Sequence, residues 1–161
     1  MRRDDFERLY EEHAQPLYGF LAYRTGDTAL AEDLLADTFE RALRARARFD
    51  RRRASEKTWL YAIALNLLRD QARRRKTETR ALERITQETP GAADELAAVE
   101  HRDEVQRALT ILSDEEREAI ALRFGGDLTV PEIARLLKQP LPRVEGRVYR
   151  SLRKLRDEIG Y

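Results

Sequence analysis

The chain has 161 residues, of which 38% are charged and 42% hydrophobic, enough for modest helical cores but not for one large core. It contains no cysteine, which excludes a disulfide framework and a thiolate metal site. The longest apolar run, TWLYAIALNLL, is too short for a bilayer, which needs about 20 residues, and the charged N-terminus lacks the apolar core of a signal peptide. We therefore expect no membrane insertion and a cytoplasmic protein.

The net charge of +1 conceals four blocks of alternating sign. Residues 1–50 and 86–120 carry net charges of −3 and −7, whereas residues 51–85 and 121–161 carry +7 and +4. Two basic blocks favour two surfaces that face a polyanion. Solvated helix faces would give the same charges, so charge alone leaves both interpretations open.

Helical patterns dominate the first part of the chain. The first helix is predicted from about Asp4 to Tyr23, with Pro16 able to kink it, and the TGD turn at 25–27 supplies a stop and a new cap. A third helix begins near Ser55 and runs to the basic run RRRK at 73–76. The second helix, between them, has an apolar stripe of Leu30, Leu34, Leu35, Thr38, Phe39 and Leu43.

The hydrophobic pattern thins after residue 77, and we predict a linker over residues 81–96, centred on Pro90 and helical at most at its start. It separates a domain of residues 1–80 from one of residues 97–161. Helices are predicted in the second domain near residues 96–112, 114–124, 130–137 and 141–159. The patterns Ser113-x-x-Glu116 and Thr129-x-x-Glu132 are capping boxes, in which a hydroxyl and a carboxylate satisfy free backbone N–H groups.

The last two helices and the tight connection at 138–140 have the layout of a helix-turn-helix, whose second helix enters the major groove of DNA. At about 100° per residue, one side of the last helix is a predicted buried seam of Val144, Val148, Leu152, Leu155 and Ile159. The opposite side carries Arg143, Arg147, Arg150, Arg153 and Lys154. Guanidinium groups suit phosphate and guanine edges, although a surface helix of a bundle remains the alternative.

Three segments resemble one family. The run IARLL followed by VEGRVYRSLRKLR is similar to region 4, the −35-binding domain, of the extracytoplasmic-function (ECF) RNA polymerase sigma factors. TALAEDLLADTFERAL resembles the helix of sigma region 2 that binds core polymerase, and KTWLYAIALNLLRDQARRRK resembles its promoter-melting helix. The resemblance extends from about Phe6 to Arg156. It implies an all-α fold of two small helical domains, sigma region 2 and a helix-turn-helix sigma region 4, joined by a flexible linker.

The resemblance also implies site residues. The −35 contacts would come from Arg143, Glu145, Arg147, Arg150, Arg153 and Lys154. The core polymerase contacts would come from Glu32, Asp33, Leu34, Asp37, Phe39, Glu40 and Arg41. The −10 contacts would come from Arg52, Arg53, Lys57, Trp59, Asn66, Arg69, Asp70 and Arg73. Aromatic rings and cations on one helix face suit single-stranded DNA, although a core position for Trp59 is equally open.

The partners implied by the resemblance are core RNA polymerase, through the coiled-coil of its largest subunit and its flap, promoter DNA and an anti-sigma factor. No cofactor, metal or catalytic group is expected, and His13 and His101 are interpreted as isolated surface residues. Glu145, Gly146, Pro140 and Pro142 depart from the family pattern and bear on the −35 preference. A stand-alone helix-turn-helix regulator and a protein-binding adaptor are the rival interpretations.

Overall fold

The computed structural model describes residues 1–85 and 107–160, and every regular element within these ranges is helical. A 3-10 turn (Arg46–Arg48) follows the second helix, and a π-helical segment (Ala121–Gly125) follows the fourth. The two halves of the chain comprise α1 (Arg3–Thr25), α2 (Thr28–Ala45) and α3 (Glu56–Ile85), and then α4 (Asp114–Ile120), α5 (Val130–Leu137) and α6 (Leu141–Ile159). The all-α, two-part prediction is confirmed, whereas most of the predicted linker and His101 lie outside the described residues.

The predicted boundary between α1 and α2 is confirmed. Gly26 ends α1 with φ 66°, a left-handed conformation that glycine adopts without a steric penalty, and its N–H donates to the carbonyl of Ala22. Asp27 then caps α2, because its carboxylate accepts from the N–H of Leu30 at 3.1 Å. The stop and the new cap therefore lie within two consecutive residues.

The first half is a three-helix unit in which α1, α2 and α3 pack against one another. Its core includes Leu17 and Phe20 of α1, Leu34 of α2 and Leu60 of α3, all of them buried. The predicted stripe of α2 is wrong at Leu43, which is 38% exposed, and Ala31 and Ala42 are buried in addition to the predicted positions. Helix α3 continues to Ile85, so the start of the predicted linker is helical, as the sequence allowed.

Both predicted capping boxes are present in the second half. The Ser113 hydroxyl accepts from the N–H of Glu116, whose carboxylate accepts from the N–H of Ser113, and Thr129 and Glu132 make the same pair of bonds. The helix predicted over residues 114–124 is not uniform, because its α-helical part ends at Ile120 and continues as the π-helical segment. Such segments are rare and frequently lie at functional positions.

Glu116 ties α4 to α6. Its carboxylate also accepts from the Lys154 Nζ at 2.9 Å and lies 3.5 Å from the Ser151 hydroxyl. Burial alone would raise the pKa of Glu116, but hydrogen bonds from Lys154 and Ser113 outweigh it and hold the pKa below its ordinary value of 4.5.

We expect Glu116→Gln to lower the free energy of unfolding by about 1–2 kcal/mol at neutral pH, because a helix cap and a cross-helix ion pair are weakened together. A depressed pKa stabilises the folded state while the group is ionised. The loss should therefore shrink as the pH falls below the ordinary value of 4.5 and vanish only below the lowered pKa of the folded state, where the carboxyl is protonated in both states. Urea unfolding at several pH values measures it. Asp157→Asn, at an exposed α6 position, is the control, and an equal loss at all pH values would contradict the expectation.

The two halves share one hydrophobic cluster. The buried side chains of the first half are continuous with those of the second, including Leu122, Ile133 and Val144. Helix α1 packs on the π-helical segment, and α3 packs on α5. The structure is therefore closed, an arrangement that the sequence did not indicate. Among the described residues, no helix is both long and apolar enough to cross a membrane.

Candidate polymerase and nucleic-acid interfaces

The outer face of α2 is acidic and unoccupied by other parts of the described structure. Glu32, Asp33 and Asp37 are exposed, and within the described residues none of the three makes an ion pair or side-chain hydrogen bond. Glu40 and Arg41 are also exposed, and Glu40 accepts a hydrogen bond from Arg44 at 2.6 Å. These five predicted residues therefore share an accessible surface.

Leu34 and Phe39, which were also predicted to contact polymerase, are only 5% and 6% exposed. Phe39 makes T-shaped ring contacts with Phe6 and Tyr10, with centroids 6.2 and 4.8 Å away. The prediction that these two side chains form part of the contact surface is therefore corrected. They anchor α2 to α1 and so fix the direction in which the acidic face points.

The predicted −10 surface divides into two parts. Arg52 and Arg53 in the loop before α3 and Asn66 and Arg73 on α3 are exposed. Arg73 is hydrogen-bonded to Asp70, one turn away. These residues form an open polar surface on the first half.

Lys57 and Arg69, in contrast, face the second half. The Lys57 Nζ donates to the carbonyl of Asp127 at 3.2 Å and lies 3.4 Å from the Glu132 carboxylate. The Arg69 guanidinium lies 3.5 Å from the carboxylate of Glu118. Carboxylates of the second half thus form ion pairs with two cationic side chains that the sequence predicted to contact DNA.

Trp59 is partly buried and packs on the core, with its ring centroid 5.0 Å from that of Phe49. The sequence left an exposed and a core position equally open, and the structure places Trp59 at the edge of the core, partly buried. His13 is not an isolated surface residue, because its side chain is only 16% exposed. Burial lowers its pKa, and the charges of Glu12, Lys57 and Glu56 act on it as well.

Sequence reasoning missed the contact between the halves. A Cβ on Gly19 would lie 2.9 Å from the Gly125 carbonyl oxygen, so the two backbones approach each other where neither residue has a side chain. The buried Tyr61 hydroxyl donates to the carbonyl of Gly126 at 3.0 Å, and burial raises the pKa of Tyr61. The sequence did contain one signal for this contact. Gly19 lies inside the helical pattern of α1, far from either end of the helix, and an isolated glycine there can mark a close approach of two backbones.

The helix-turn-helix is formed as predicted. Helix α5 ends at Lys138, which has a left-handed φ of 55°, and Pro140 is the N-cap of α6. Pro142 lies in the first turn of α6, where a missing N–H breaks no helical hydrogen bond. The two prolines that depart from the family pattern are thus compatible with a regular start of this helix.

The predicted cationic face of α6 is correct except at Arg147. Arg147 is 7% exposed, and its guanidinium donates to the Gln139 side chain at 2.8 Å and lies 3.7 Å from Glu115. Arg147 therefore stabilises the turn of the helix-turn-helix through these contacts and does not face the solvent. The exposed predicted residues are Arg143, Glu145, Arg150, Arg153 and Lys154.

The predicted buried seam of α6 is shorter than expected. Val144 and Val148 are buried, but Leu152 and Ile159 are 37% and 41% exposed. The last fully buried position of the helix is Ser151, and Leu155 of the predicted seam is partly buried against the core. Gly146 lies beneath the Arg150 guanidinium, because a Cβ there would be 2.9 Å from Arg150 Nη1.

The described residues thus form a helical protein with a helix-turn-helix in its second half. The family model for sigma-70 region 2 matches residues 9–78, and that for sigma-70 region 4 matches residues 102–155. The chain is 32% identical over 164 residues to the ECF RNA polymerase sigma factor SigX of Bacillus subtilis, with 97% of this chain and 84% of SigX covered. It belongs to the ECF sigma factor family.

Two solved structures are similar to the closed fold. CnrH, in complex with the cytosolic domain of CnrY, is 27% identical with a TM-score of 0.71, covering 99% of this chain and 90% of CnrH. The sigma factor RpoE in complex with the anti-sigma factor NepR from Bartonella quintana is 24% identical with a TM-score of 0.77, covering 97% of both chains. As an alternative sigma factor, the chain binds core RNA polymerase and directs promoter-specific transcription initiation. A stand-alone regulator is not favoured, because the similarity includes both halves.

Proposed function

We propose that the chain divides promoter recognition between three surfaces. The acidic face of α2 binds the coiled-coil of the largest polymerase subunit, while α3 and the loop before it hold the melted −10 strand. Helix α6 reads the −35 duplex, and the second half also binds the polymerase flap. The observation that carries the −35 assignment is the set of exposed cations on α6. Within the described residues none of them has an ion pair; they are Arg143, Arg150 and Arg153.

Unpaired guanidinium groups on a helix-turn-helix are suited to phosphate and to the O6 and N7 atoms of guanine. Lys154 differs from them, since Glu116 already accepts a hydrogen bond from its Nζ. Glu145 is exposed on the same helix and is suited to accept from cytosine N4. We therefore infer that Arg143, Arg150 and Glu145 set the −35 preference and that Lys154 contributes mainly to stability.

We also infer that the chain acts by binding alone, without catalysis, in the cytoplasm where core polymerase is located. An anti-sigma factor is a further inferred partner. Support comes from the two similar structures, because RpoE was solved with the anti-sigma factor NepR bound and CnrH with the cytosolic domain of CnrY bound. In this inference the partner binds the closed form and keeps it from polymerase.

The −35 assignment is tested by Arg150→Ala in reconstituted holoenzyme, with transcription from a promoter library randomised at the −35 positions. If Arg150 contacts a base, its loss should cost about 1–3 kcal/mol and relax the preference at one position. If it contacts only phosphate, yields should fall evenly across sequences. A sequence profile and yield equal to those of the wild type would refute the assignment.

Arg147→Ala is the matched control, because it removes the same side chain from a buried position of the same helix. Its loss leaves Gln139 and Glu115 without their partner and should lower the free energy of unfolding by about 1–3 kcal/mol. The −35 sequence profile should stay unchanged at a temperature at which the variant is folded. A changed −35 sequence profile in Arg147→Ala would show that Arg147 contacts bases.

A further inference from the structure

Gly146 lies in the second turn of α6, where the backbone gives no reason for a glycine. Its φ is not left-handed, unlike those of Gly26 and Gly160, so other residues could adopt this backbone conformation. A glycine inside a helix also destabilises that helix relative to an alanine. The reason for a glycine at this position therefore lies in the side chains around it.

The nearest neighbour of Gly146 is the guanidinium of Arg150, one turn further along the helix. A Cβ at position 146 would lie 2.9 Å from Arg150 Nη1, 3.7 Å from its Cζ and 3.9 Å from its Nη2. Long side chains on a helix lean toward its N-terminus, over the residue four positions earlier, and Arg150 takes this direction. Its guanidinium thus occupies space that a side chain at position 146 would need.

This arrangement brings the Arg150 guanidinium closer to the end of α6 that meets the bases. In a helix-turn-helix, the N-terminal residues of the second helix contact the base edges. A helix rises by about 1.5 Å per residue, so a guanidinium at the level of Gly146 is about 6 Å nearer to that end than the Cα of Arg150. Arg150 is exposed and makes no ion pair or side-chain hydrogen bond within the described residues, so its donors are free for DNA.

We propose that Gly146 is a positioning residue for −35 recognition, because it lets the Arg150 guanidinium lie where it can contact a guanine edge in the major groove. This inference rests on the proposed role of α6. A bidentate contact with guanine O6 and N7 requires one orientation of the guanidinium. A Cβ at position 146 blocks this orientation and turns Arg150 aside, toward phosphate. Gly146 therefore decides whether Arg150 contacts a base or only the DNA backbone.

The test compares Gly146→Ala, Arg150→Ala and the double variant with the wild type in reconstituted holoenzyme, by transcription from a promoter library randomised at the −35 positions. Gly146→Ala should lower the preference for guanine at one position by about fivefold or more, the lower end of what such a contact supplies. Yield averaged over all sequences should change little, because Arg150 still contacts phosphate. Arg150→Ala should lower the preference at the same position, and adding Gly146→Ala to it should have no further effect.

A purely structural role of Gly146 would give different results. Alanine is the better helix former, so Gly146→Ala should unfold at or above the wild-type temperature in a circular dichroism scan, and a changed profile then cannot come from misfolding. An unchanged profile, or an even fall in yield, in Gly146→Ala beside a changed profile in Arg150→Ala would overturn this inference and leave the proposed function intact. An equal effect of Gly146→Ala with and without Arg150 would overturn it too. An unchanged profile in Arg150→Ala would refute the −35 assignment itself, and this inference with it.

Discussion

Asp33→Arg combined with Asp37→Arg should abolish the binding of core RNA polymerase while leaving the helix content unchanged. Both carboxylates are exposed on α2 and make no ion pair within the described residues, so folding does not require them. If this face meets polymerase, the new positive charges will oppose the groups that the carboxylates attract. Like charges brought together across an interface cost several kcal/mol, which is about a hundredfold or more in affinity.

The measurement is the affinity of labelled protein for core polymerase, with circular dichroism to verify folding. Asp4→Arg combined with Glu11→Arg is the control, since it makes the same change of net charge at exposed positions of α1. The control should bind normally if α2 alone forms the acidic contact. Normal affinity of the α2 double variant would show that this helix does not bind polymerase.

Gly19→Leu should open the closed structure. A Cβ at position 19 would meet only the backbone of Gly125, so the substitution disturbs the contact between the halves and leaves the core of the first half intact. Leucine is also the better helix former by roughly 0.8–1 kcal/mol, so weakening of α1 cannot account for opening. A compact chain of this length has a radius of gyration of about 15 Å, and the variant should be clearly larger in small-angle X-ray scattering.

Opening should also release Lys57 from Asp127 and Glu132, and Arg69 from Glu118. The free variant should then bind single-stranded −10 DNA more tightly than the wild type, with a steeper dependence on salt because more cations reach phosphate. Ala36→Leu is the control, as it adds the same side chain at an exposed position of α2. An unchanged radius of gyration in Gly19→Leu would mean that the Gly19–Gly125 contact does not hold the halves together.

The sequence predicted the helices closely because their ends are specified locally. A cap needs only a few neighbouring residues, as at Gly26 and Asp27 or at Ser113 and Glu116, so it can be identified without knowing the rest of the fold. Helical periodicity likewise identified the outer face of α2 and most of the cationic face of α6. The roles assigned to these faces, residue by residue, stay proposals.

Burial that depends on distant elements could not be predicted in this way. Arg147 has the spacing of an exposed residue, but it is buried and its guanidinium contacts Gln139 and Glu115, which lie outside α6. Leu152 has the spacing of a core residue, yet beyond Ser151 only Leu155 is partly buried against the core, since this 19-residue helix is longer than α4 and α5, its partners of 7 and 8 residues. Periodicity states which face a residue occupies and not how far its neighbours extend.

The sequence by itself determined the family, the helical composition and the two charged faces, on α2 and α6. Each of these features depends only on residues that are close together in the chain. Only the tertiary structure decided that the halves close on each other and that Lys57 and Arg69 are held by carboxylates of the second half. The physical reason is that this contact joins residues about 50 to 110 positions apart, through a shared hydrophobic cluster, two glycine backbones and single polar side chains. Such a contact leaves no periodic pattern in the sequence.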